Sequence, residues 1–338
     1  MGANEVVFII GATGFIGSHV VNYTLQAGYK VRLSIRRKEQ EQSIRAWLQG
    51  RDENVEFVHI PDLAKPGAFQ GVLDGIDYIF HLASPLPGKG DDVRKDYVEP
   101  AVTGTTAILE QAKRHERIKF VIVVSSILAL IPMGGIRKPP VIPKANSGER
   151  LKVDITRKFP AGFPGHGMKY GASKILAQQA TRDFVAKERP LFKLITFHPT
   201  FVLGDSLIQR TFKELDGMNA QLWNSLPSEE PLIPSAFVHV RDVAQAHVAA
   251  LRNRDSLNTG TEYILSTQPF GWDRVADVVK AEFPQIDVRL RKGPFSQDDW
   301  HVDTTLADRD LQIKWRSGED MVRNVLNQQL ALKQKASL

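Results

Sequence analysis

Val6-Val7-Phe8-Ile9-Ile10-Gly11-Ala12-Thr13-Gly14-Phe15-Ile16-Gly17 runs from an apolar, β-branched stretch straight into glycines spaced GxxGxxG. Ile16, Val20, Val21 and Leu25 follow at helical spacing. Strand, tight turn and helix in this order form the unit that holds a dinucleotide pyrophosphate. Glycine lets the backbone turn sharply and lets phosphates approach where a Cβ would clash. The helix N-terminus offers unpaired N–H groups and partial positive charge to the anion. Gly11, Thr13, Gly14, Phe15, Ile16 and Gly17 are therefore expected to contact a nicotinamide cofactor.

Working outward, apolar strands alternate with helical patterns. Strands are predicted at 5–10, 30–35, 55–59, 77–82 and 119–125, with helices at 15–27, 39–49 and 93–115. Val121-Ile122-Val123-Val124 is apolar at every position, as a central parallel strand covered on both faces requires. Residues 131–167 are rich in proline and glycine and read as a surface excursion. A helix at 168–188, a strand at 192–197, a loop with one helix at 204–234 and a final helix near 318–334 complete the pattern. The fold class is α/β, a Rossmann-type doubly wound parallel sheet with a smaller C-terminal substrate-binding lobe. Residues 1–200 supply mainly the nucleotide-binding part, with a strand added from about 236–240. Residues 201–338 supply mainly the lobe, interleaved with the first part.

The chain has 338 residues, 42% of them hydrophobic and 24% charged, so it can bury a large α/β core. It has no cysteine, which excludes disulfides, thiolate nucleophiles and cysteine metal sites. The histidines show no clustered ligand spacing, so no metal is expected. No apolar run approaches a membrane span, and the first strand begins too early to leave room for a signal peptide. A cytoplasmic location is expected, without membrane partners. The net charge is +6, but the basic residues are scattered and no nucleic-acid motif accompanies them. A basic surface that attracts an anionic cofactor accounts for them.

The second strand ends Leu33-Ser34-Ile35-Arg36-Arg37-Lys38. In this fold that strand end reaches the adenosine ribose. An acid there would favour NAD. Here three cations follow one another, and a guanidinium can fork onto a 2′-phosphate. NADP(H) is the expected cofactor, with Arg36 leading and Arg37 and Lys38 in support. Asp62 and Leu63, after the third strand, are placed to meet the adenine; Asp62 suits a turn or helix cap equally well.

Tyr170-Gly171-Ala172-Ser173-Lys174 puts a phenol and an ammonium on one helix face. A nearby ammonium lowers a tyrosine pKa from its usual value near 10. The pair suits carbonyl/alcohol interconversion, with Tyr170 as general acid and Lys174 also holding the nicotinamide ribose. Ser125 and Ser126 end the central strand, where sites of open α/β sheets form. A hydroxyl there can polarise a substrate oxygen, or simply close the strand and cap the next turn.

These segments, with His81-Leu82-Ala83-Ser84-Pro85, His198-Pro199-Thr200 and Phe237-Val238-His239-Val240-Arg241-Asp242-Val243-Ala244, make the chain similar to the extended short-chain dehydrogenases/reductases over nearly its whole length. Within them it resembles the dihydroflavonol-reductase-like and yeast-type carbonyl reductases. The resemblance implies that Ser126 is the catalytic serine, Tyr170 the proton donor and Lys174 its partner. It places Ala83 and Ser84 along the ribose–pyrophosphate path and Pro199 and Thr200 by the nicotinamide, and gives Asp242 a helix-capping role. One departure is Ala101, where many extended members carry asparagine.

The expected activity is NADPH-dependent reduction of ketones or aldehydes. Ser126 is followed by Ile127-Leu128-Ala129, without the acid a dehydratase would use. Leu86, Ile127, Leu128, Phe201, Phe212, Leu215, Met218 and Trp223 point to a cleft for an apolar or aromatic carbonyl substrate, with His166 and Met168 at its rim. The alternatives are a dehydrogenase or epimerase of hydroxysteroids or sugar nucleotides, and a non-catalytic NADP sensor. Either a monomer or a homodimer fits.

Overall fold

The computed structural model describes residues 4–336 apart from Pro66 and Lys89. Seven parallel strands form the central sheet in the order β3-β2-β1-β4-β5-β6-β9. They are β1 Val6–Ile10, β2 Lys30–Ile35, β3 Val55–His59, β4 Tyr78–His81, β5 Phe120–Val124, β6 Lys193–Pro199 and β9 Glu262–Leu265. The order reverses between β1 and β4, so the crevice at their C-terminal ends is the ligand-binding position of such a sheet.

Strand alternation divides the core. Val7 and Ile9 of β1 and Phe120 and Ile122 of β5 face one cluster, with Val20 and Val21 of α1 (Phe15–Gln26) and Val243 and Ala246 of α6 (Val240–Asn253). Phe8, Ile10, Val121 and Val123 face the other, against Ile108 and Leu109 of α3 (Glu99–Ala112) and Phe184 of α4 (Gly162–Glu188). Layers on both faces explain why these strands are apolar throughout. A third cluster builds the C-terminal lobe around Trp272, Val275 and Val279 of α7 (Trp272–Glu282) and Met321, Val325 and Leu326 of α9 (Gly318–Ala336).

The strand expected to join the sheet from 236–240 does not do so. β8 (Phe237–His239) pairs with β7 (Phe201–Leu203) in a separate two-stranded ribbon. β9 takes the seventh place, pairing Thr196 with Glu262 and Phe197 with Tyr263. Thr200 fixes the divergence, because its N–H donates to the Leu265 carbonyl at 3.0 Å as the chain leaves β6.

Two helix boundaries also differ from the sequence pattern. Residues 93–115 are not one regular helix: a π-helical segment, Val93–Val98, precedes α3. Pro100 lacks an N–H and sits in the first turn of α3, where that loss is tolerated. Helix α4 begins at Gly162, inside the stretch read as a loop. Pro164 occupies its first turn, and a Cβ on Gly165 would stand 1.8 Å from the Pro160 carbonyl oxygen. The remaining helices are α2 (Glu39–Leu48), α5 (Gly217–Ser225) and α8 (Thr305–Leu311). Among the described residues no helix is long and apolar enough to cross a membrane.

His81, His198 and His247 are among the histidines buried in these layers. Burial pushes His81 down to about 3 and both His198 and His247 down to about 4. His247 lies between the rings of Phe80 and Phe197, each 5.0 Å away. The unfolded chain takes up these protons near the usual imidazole value, so stability is full above that value and declines as pH falls toward the folded values. The expected loss is about 1.4 kcal/mol per pH unit for each buried imidazole. The melting temperature should therefore drop between about pH 6.5 and about pH 4.5, and His247→Gln should flatten part of that slope; a pH-independent melt would contradict the assignment.

Candidate active site

The glycine turn closes the β1 end against its neighbours. Gly11 has φ +98°, and a Cβ there would lie 2.8 Å from the Ala83 nitrogen, so β1 and the segment after β4 approach by backbone. A Cβ on Gly17 would lie 2.0 Å from the Gly11 carbonyl oxygen, which presses α1 onto the turn. Gly14 is exposed, and the nearest protein atom to its Cβ position is 3.4 Å away. No side chain caps α1, so its first-turn N–H groups face the crevice without side-chain partners. The turn is thus packed inward at Gly11 and Gly17 and open outward at Gly14, which is the fit a pyrophosphate requires. Phe15 and Ile16 pack on the core beneath it and Thr13 is half-buried.

At the end of β2, Arg36, Arg37 and Lys38 are exposed. The Arg36 and Arg37 N–H groups donate to Gln40 Oε1 at 2.8 and 3.1 Å, and the Arg36 carbonyl meets His59 Nε2 at 2.7 Å. The backbone is thereby held while, among the described residues, no ion pair engages these three side chains. Asp62 takes the turn role, accepting from the Ala64 N–H at 2.9 Å, and it is exposed. Leu63 is half-buried and packs on the core, beside α3.

The groups expected to react, Ser126, Tyr170 and Lys174, meet at the C-terminal end of β5. Ser126 is buried and accepts from the Leu128 N–H at 3.2 Å, and its hydroxyl acts on the Tyr170 phenol, favouring its ionised form. Lys174, one turn beyond Tyr170 on α4, is buried. Its Nζ donates to the Val124 carbonyl at 3.2 Å and lies 5.6 Å from the centroid of the Tyr170 ring. Burial pushes the Tyr170 phenol up to about 12, partly offset by the Ser126 hydroxyl, and brings Lys174 down to about 8. The expected lowering of the tyrosine is therefore reversed in sign. The ammonium sits over the Tyr170 ring, and removal of the phenol from water dominates.

Behind Lys174 is a cavity of about 10 Å³, lined by Ser84, Ala101, Thr105, Ser125 and Gln178 among others. That is room for about one water molecule. Ala101 thus occupies a wall whose polar groups come from elsewhere, including the unpartnered hydroxyls of Ser84 and Ser125. Thr105 and Gln178 were not foreseen in this wall. Thr105 is one turn after Ala101 and Gln178 one turn after Lys174, so helical spacing carried the signal.

Other predicted site residues also carry contacts within the fold. The Thr200 hydroxyl lies 3.2 Å from the Leu265 carbonyl oxygen, so its side chain also ties β6 to β9, and Pro199 pairs opposite Leu265. Asp242 does not cap α6. His239 does, accepting from the Arg241 N–H at 3.0 Å, while Asp242 is buried and binds the Arg316 N–H at 2.7 Å and the Arg316 guanidinium. Of the residues assigned to the cleft, Ile127 and Phe201 belong to the lobe core, and Phe212 stacks edgewise on Trp223 at 5.4 Å beneath Lys333. Leu86 remains 54% exposed.

Residues 7–266 match the model of the NAD dependent epimerase/dehydratase family. The chain is 36% identical to ketoreductase sphI of Aspergillus fumigatus, covering 97% of this chain and 98% of that protein. It is 30% identical to the putative NADPH-dependent methylglyoxal reductase GRP2 of Candida albicans, over 98% and 94% of the two. Yeast methylglyoxal/isovaleraldehyde reductase Gre2, solved as an NADPH complex, superposes with a TM-score of 0.82 at 25% identity, covering 98% of this chain and all of that one. A Rossmann-type sheet with a serine, tyrosine and lysine at the end of β5 defines an oxidoreductase of the short-chain dehydrogenase/reductase type. The chain belongs to the NAD dependent epimerase/dehydratase family, the extended branch of that class.

The glycine geometry gives a direct test by thermal unfolding. Gly17→Ala should cost about 2–3 kcal/mol, because backbone must move. Gly14→Ala should cost roughly 1 kcal/mol or less; equal losses would contradict the inward/outward division of the turn.

Proposed function

We propose that this protein reduces a ketone or aldehyde to the alcohol with NADPH. The observation that carries the reading is the meeting of Ser126, at the end of β5, with Tyr170 and, one turn further along α4, the buried Lys174. NADPH, when bound along the glycine turn, supplies the hydride to the carbonyl carbon. Ser126 donates a hydrogen bond to the carbonyl oxygen and draws charge toward it. Tyr170 gives its proton to that oxygen as charge develops. A phenol held near 12 is protonated throughout the physiological range, so the donor form is always present, and an alkoxide is basic enough to take its proton. Lys174 offers positive charge to the phenolate that remains, and its ammonium can reach the ribose hydroxyls.

Several observations favour NADP(H) over NAD(H). Arg36, Arg37 and Lys38 stand exposed at the end of β2, and among the described residues no carboxylate pairs with them. Similar proteins carry NADPH in their names. A guanidinium there would fork onto the 2′-phosphate. The exposed Leu86 and half-buried Leu128 beside Ser126 favour an apolar or aromatic carbonyl compound.

Tyr170→Phe should lower kcat by about 10²–10⁴-fold while NADPH still binds, as read by nucleotide fluorescence; near-normal turnover would remove Tyr170 as the acid. Arg36→Ala should weaken NADPH by roughly tenfold or more and NADH far less. Equal losses for the two would show that Arg36 does not read the 2′-phosphate.

A further inference from the structure

The segment after β4 is fastened to α4, the helix that carries Tyr170, at two points. Lys169 Nζ donates to the Asp91 carbonyl at 2.6 Å. The second is the phenol of Tyr97, a fully buried side chain on the π-helical segment. Its oxygen accepts from the Gly88 N–H at 3.1 Å, lies 3.0 Å from the Gly90 carbonyl oxygen and lies 2.9 Å from His166 Nδ1. The Tyr97 and His166 rings are stacked, inclined by 30°.

Proton bookkeeping fixes the tautomer. The phenol has one proton, and a carbonyl oxygen can only accept. Both contacts are hydrogen bonds only if Tyr97 donates to Gly90 and His166 Nδ1–H donates to Tyr97. A neutral imidazole with its hydrogen on Nδ1 leaves Nε2 as an acceptor. Among the described residues, no hydrogen-bond partner meets His166 Nε2, and the side chain is half-buried. Phe163, His166 and Tyr170 are spaced by three and four residues on α4, so they share one face. Phe163 is 43% exposed. That stripe presents an apolar ring, then an acceptor nitrogen, then the phenol.

Resting on the reductase reading, we infer that His166 Nε2 accepts a hydrogen bond from a substrate hydroxyl. The preferred substrates are hydroxylated aryl ketones whose hydroxyl stands about one helical turn, roughly 5–6 Å, from the carbonyl oxygen. His166 sets specificity, and Tyr97 positions it by holding the tautomer.

The test compares acetophenone, its 2-, 3- and 4-hydroxy derivatives and the matching methoxy compounds, with NADPH, in the wild type, His166→Phe and His166→Gln. The wild type should favour the 3- or 4-hydroxy ketone over its methoxy counterpart by roughly tenfold in kcat/KM, mainly through KM. The 2-hydroxy compound should gain nothing, because its hydroxyl is bonded to its own carbonyl. In His166→Phe, which keeps a ring against Tyr97, the hydroxy/methoxy ratio should collapse toward one; His166→Gln, whose amide oxygen can accept, should restore part of it. Dissociation constants of the same ketones in the ternary complex with NADP⁺ should follow the same ratio. Reduction of acetophenone with no hydroxyl preference in the wild type, or a preference that survives in His166→Phe, overturns the inference and leaves the reductase reading standing. No turnover of any ketone overturns that reading and this inference with it.

Discussion

A Cβ on Gly17 would stand 2.0 Å from the Gly11 carbonyl oxygen, and much of the site depends on that contact. It lets α1 begin directly on the end of β1. The first-turn N–H groups then face the switch point between β1 and β4, where a pyrophosphate can use them. Gly11 makes the complementary approach to Ala83, so the two strand ends at the switch point are held by backbone rather than by side chains. Side chains of any other size at these positions would push the helix from the crevice.

From that anchor the parallel register carries precision across the sheet. Val123 of β5 stands opposite His81 of β4 and Thr196 of β6, so the C-terminal ends of the three strands are level. Ser126 follows β5 directly, and α4 lays Tyr170 and Lys174 over it. Burial then sets the chemistry. It holds the tyrosine protonated and brings the lysine within reach of titration near neutral pH, opposite shifts with one cause. For the proposed reduction, such a site would favour proton donation to a nascent alkoxide.

Much of this was legible in the sequence because each element carries a local signal. The β-branched runs at 30–35 and 55–59 match β2 and β3 residue for residue. The glycine spacing, the strand-end serines and the Tyr170/Lys174 pair lie where those patterns place them. Long-range choices were less legible. Phe237–His239 reads as a strand of the main sheet because its pattern says strand but not which partner; the hydrogen bonds of Thr200 decide that. The sign of the Tyr170 shift depends on burial, which spacing does not report. Asp242 reads as a cap from its place after a strand, yet Arg316, distant in sequence, claims its carboxylate. His166 reads as a rim residue of the cleft, but its place on α4 was hidden because proline and glycine around it mask the start of that helix.

The most direct measurement is the loss of reduced-nicotinamide absorbance on mixing the protein with NADPH, and separately NADH, and a series of aryl ketones, α-keto esters, diketones and aldehydes. The account predicts turnover of several apolar carbonyl compounds with NADPH and much slower turnover with NADH. Intact NADPH binding with no oxidation across the whole series would contradict it.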